Sequence, residues 1–148
     1  MNPNDTVRVA GADIFAVRLL AYAAVTEYVW RVAPDRASEL EQYFALIRPK
    51  GHLQQHVGWY RSQPDKQQFV DRAQQAYALV RSLPATEGHA LALRHAKAIV
   101  GFYTYHAQQK VVFRDQQMAE NVIWWQDHTG DKIVYWRRTC TRPMASSL

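Results

Sequence analysis

Arg114, Met118, Asn121 and Trp125 recur at i, i+4, i+7 and i+11 within VVFRDQQMAENVIWW, residues 111–125. On a helix these four share one face, and Asp115 lies next to it. A guanidinium, a carboxamide and a carboxylate together offer donors and acceptors that an apolar stripe does not need. Two kinds of chemistry fit. The face is a polar cluster, buried at one edge, that points at a pocket; or Asp115 complements the positive end of the helix while Arg114 and Asn121 hydrogen-bond a loop. Spacing alone leaves both open. Asp13, which follows Gly11 in VRVAGADI, has a similar double reading. At the carboxyl end of a strand it faces a ligand crevice, and before a helix it serves as an N-cap.

Other reactive residues form no complete catalytic set. His52 and His56 stand four apart, but HLQQH lacks the Glu that follows the first His in the zincin pattern. His95 and His106 lie three helical turns apart, too far to ligate one ion from a single straight helix. No metal site or cofactor site is expected. There is no Gly-x-Ser-x-Gly elbow and no phosphate-cradling glycine loop, and Cys140 sits in a patternless tail.

The elements that must position these residues follow from periodicity. Residues 7–14 alternate and read as a short strand. A helix starting near Phe15 carries Leu19, Tyr22, Thr26, Val29 and Val32 and stops at Pro34; a second carries Leu40, Tyr43, Phe44 and Ile47 and stops before Pro49. Residues 49–63, with two Gly and a Pro, read as a connection holding at most one helical turn. Pro64-Asp65 opens a helix with the stripe Phe69, Ala73, Ala76, Tyr77, Val80 and Leu83. The next runs from His89 to Gln109 with Leu91, Ala98, Ile99, Phe102 and Tyr105 inward, and the motif helix covers 113–126. DHTGD is a turn, KIVYW at 132–136 a strand, and 137–148 a disordered or loosely attached tail. The chain is therefore mainly α, with two short strands at its ends and five helices between. Two strands make no stable sheet alone, so they read as members of a larger parallel sheet, with self-association through their open edges an expected consequence.

Composition bounds the setting. The 148 residues suit one domain, 48% apolar and 21% charged. A single cysteine excludes an internal disulfide, no secretory signal is visible, and the longest apolar run is broken by Arg18. These features point to a soluble cytoplasmic protein without a membrane role. The net charge is +5, from 18 basic and 13 acidic residues, yet Arg137, Arg138 and Arg142 lie in an acid-free tail, and without them the body carries only +2. A nucleic-acid surface gathers its basic residues on an ordered face, so nucleic acid is not an expected partner.

The segments VRVAGADIF, VFRDQQMAENVIWW and TGDKIVYW together resemble the erythromycin esterase family. Gly11 and Asp13, then Arg114, Asp115, Met118, Ala119 and Asn121, and finally Trp136 match its pattern in order, and the Arg-Asp-x-x-Met-Ala-x-Asn helix is the most specific part. The resemblance covers residues 3–136. It implies a partial α/β core (strands 7–14 and 132–136) around a helical insertion at 15–110, with the motif helix at 113–126. It also implies hydrolysis of an ester or macrolactone, by water that a His general base activates within a Gly-Glu-x-x-His-Gly type motif. Asp13, Arg114, Asp115 and Asn121 then line or brace the substrate pocket, and no catalytic residue is assigned. This sequence contains no Gly-Glu-x-x-His-Gly, and after Trp136 it has RRTCTRPMASSL where the family places an Asn and His residues. One permissible coding of RRTCTRPMA, with a single G restored after the Trp codon, reads Ala-Ala-Asn-Val-His-Thr-Ala-Asn-Gly. A frame-shifted tail and an inactive fragment of an esterase-like hydrolase are therefore expected, and the genomic DNA is the test. The alternative is a non-enzymatic helical module that binds a protein partner.

Overall fold

A computed structural model describes residues 19–130 and 132. These hold six α-helices: α1 (Leu19–Val32), α2 (Ala37–Ile47), α3 (Leu53–Ser62), α4 (Gln67–Ser82), α5 (His89–Gln108) and α6 (Val111–Thr129), with a single 3₁₀ turn, Pro34–Arg36, between α1 and α2. Among the described residues there is no strand. The expected strands at 7–14 and 132–136 lie outside them apart from Lys132, as do Asp13, the start of the first helix and the tail 137–148. No helix among the described residues is long and apolar enough to cross a membrane.

The first five helices enclose one core, because each buries an apolar stripe at helical spacing. Tyr22, Val25 and Val29 of α1 meet Leu40, Phe44 and Ile47 of α2, Phe69, Ala73, Ala76 and Val80 of α4, and Ala92, Ala96, Ile99 and Tyr103 of α5. The helix ends have local causes. Pro34 ends α1, and Arg48, the residue before Pro49, is extended (ψ 125°), as crowding from a following proline ring requires. The Asp65 carboxylate accepts from the backbone N–H of Gln67 at 2.9 Å, satisfying a donor that the first turn of α4 leaves open.

Three expectations need correction. Residues 53–62 are a full helix, α3, instead of a connection with one turn, so there are six helices where five were expected. Gly58 counted against a helix, yet it sits on an exposed face where an added Cβ would meet nothing within 4 Å. Its cost of about 1 kcal/mol is offset by burial of His56, Val57 and Tyr60 on the other side. In α5 the buried stripe is Ala92, Ala96, Ile99, Phe102, Tyr103 and His106, while Leu91 is 38% exposed and Ala98 and Tyr105 are only half-buried. Small alanines let α5 approach its neighbours closely, and a leucine in the same place would hold them apart. Finally, α6 starts at Val111 and runs through Thr129, so the turn expected at 127–131 begins only at Gly130, left-handed with φ +69°.

Candidate functional site

Helix α6 carries the polar cluster. Gln109 adopts a left-handed conformation (φ +54°) at the end of α5, and Lys110 then starts α6 in a new direction. The helix packs chiefly against α5. Its buried residues are Met118 and Asn121, with 8% and 9% exposure. Arg114, Trp125 and Asp115 are half-buried around them, so the face deduced from spacing is the face turned inward. The Arg114 guanidinium lies over the ring of Tyr105, 6.0 Å from its centroid, which joins the start of α6 to the end of α5. A buried carboxamide beside an arginine is a costly thing to place on a helix face unless both are hydrogen-bonded. Asp13, the fourth expected pocket residue, lies outside the described residues.

A second charged cluster, not singled out by sequence, sits on the adjacent flank. Lys97 Nζ of α5 donates to Glu120 Oε2 at 2.7 Å, and Gln117 Nε2 donates to the same oxygen at 3.1 Å. These donors, the lysine first, hold the Glu120 carboxyl below its usual range. Arg94 is half-buried with its guanidinium over the Trp124 ring, 5.4 Å from the centroid; burial lowers its pKa, against the opposing pull of Glu120 and Tyr77. Trp124 in turn stacks on His128 at 4.6 Å. The signal was present in LALRHAKAI, where Arg94 and Lys97 interrupt an apolar run at i, i+3. Without knowing that α6 returns along α5, nothing pairs them with Glu120.

The histidines are divided between elements. His56 is buried in α3 and hydrogen-bonded to the Tyr103 hydroxyl; His106 is fully buried in α5, edge-on to Phe102. Burial depresses the pKa of both His56 and His95. Among the described residues no three His, Cys, Asp or Glu side chains come together as ion ligands.

A sequence model of the erythromycin esterase family matches residues 1–138. Among solved structures, the chain is similar to the crystal structure of a Bacillus cereus protein, with a TM-score of 0.74 and 24% identity over 86% of this chain. At that identity the likeness concerns the fold alone. The match covers 34% of the Bacillus cereus chain, so this protein spans about a third of its length. No curated protein matches.

Proposed function

This chain belongs to the erythromycin esterase family, and from that premise we propose that it is the helical part of an ester- or lactone-hydrolysing enzyme, with α6 as a pocket wall. The observation that carries the reading is the inward turn of Asn121 and Met118, with Arg114 and Asp115 half-buried beside them, on the helix that bears the family's Arg-Asp-x-x-Met-Ala-x-Asn pattern. Arg114 and Asn121 supply donors and Asp115 an acceptor. In this reading they, with Asp13, brace the wall against which an ester lies, and none of them is the base. Hydrolysis in the intact enzyme needs an imidazole within reach of the attacking water. His56 and His106 are too deeply buried to meet a substrate water, with 6% and 0% exposure, and the 148 residues contain no Gly-Glu-x-x-His-Gly. The chain by itself is therefore proposed to be inactive.

The test is direct. Purified 148-residue chain, incubated with a macrolide and with a simple aryl ester, is expected to give no turnover above buffer. Turnover that disappears in Arg114→Ala overturns the proposal. One observation favours the alternative of a non-enzymatic binding module, namely that α1–α5 enclose a core of their own. Such a module has no need of a buried asparagine beside an arginine on α6, and the pocket reading accounts for both.

A further inference from the structure

We draw no further inference here: the strongest candidate, the outward apolar face of α6 formed by Val112 and Ile123 at 69% and 57% exposure, carries none because nothing among the described residues shows what covers it.

Discussion

Helices α4 and α6 both pack against α5 and are held by opposite means. In α4, sixteen residues bury Phe69, Val70, Ala73, Ala76, Leu79 and Val80, all apolar. In α6, nineteen residues bury only Met118 and Asn121. Among the described residues, its attachment includes the Lys97–Glu120 pair, Arg94 over Trp124 and Arg114 over Tyr105. Its opposite face, at the same i, i+7, i+11 spacing as the motif face, leaves Val112 and Ile123 at 69% and 57% exposure. Apolar burial stabilises in proportion to area and tolerates approximate geometry. Charge and hydrogen-bond contacts instead fix particular side chains in particular places. The difference teaches where to look for each property: α4 accounts for stability, and α6 holds specific groups at a cost in burial.

The sharpest way to break that contrast is to remove one large side chain from each part. Phe44→Ala, at the centre of the α1–α5 core, is expected to cost about 3–5 kcal/mol, and Met118→Ala on α6 about 2 kcal/mol or less, both by chemical denaturation followed by circular dichroism. Equal losses would mean that α6 belongs to the same core. Next in size is the joint itself. Gln109 holds a left-handed conformation that costs a side-chain-bearing residue about 1 kcal/mol, so Gln109→Gly should raise the melting point. A lower melting point would show that the glutamine side chain locks the two helices. The smallest effect belongs to the Lys97–Glu120 pair, whose side chains are 42% and 47% exposed. Glu120→Gln is expected to cost about 0.2–1 kcal/mol, with the difference shrinking in high salt. Salt independence would argue that packing of the Glu120 side chain against α5 matters more than its charge.

Much of this was readable from residues 19–130. Helices α1, α2, α4, α5 and α6 announce themselves by apolar steps of three and four, and the prolines at 34, 49 and 64 mark their limits. Periodicity failed where the competing residues were small or polar. Helix α3 has a low apolar content and a glycine in its middle, so it read as a connection, although His56 and Tyr60 bury as effectively as leucines once hydrogen-bonded. In α5 Leu91 was expected inward and Ala92 and Ala96 were passed over, yet close packing favoured the alanines.

The candidate site divides in the same way. The order Arg114, Asp115, Met118, Asn121 along one helix is a property of the sequence; it was the most specific part of the family resemblance and fixed which side chains share a face, because side-chain direction on a helix follows from position alone. What α6 pairs with was a tertiary matter: Lys97 finds Glu120 across 23 residues, and His56 finds Tyr103 across 47. Pairings of that separation are set by how helices pack and in what order the chain brings them back. The composition of any one segment carries no record of that, so the charged flank and the His56–Tyr103 hydrogen bond became visible only in three dimensions.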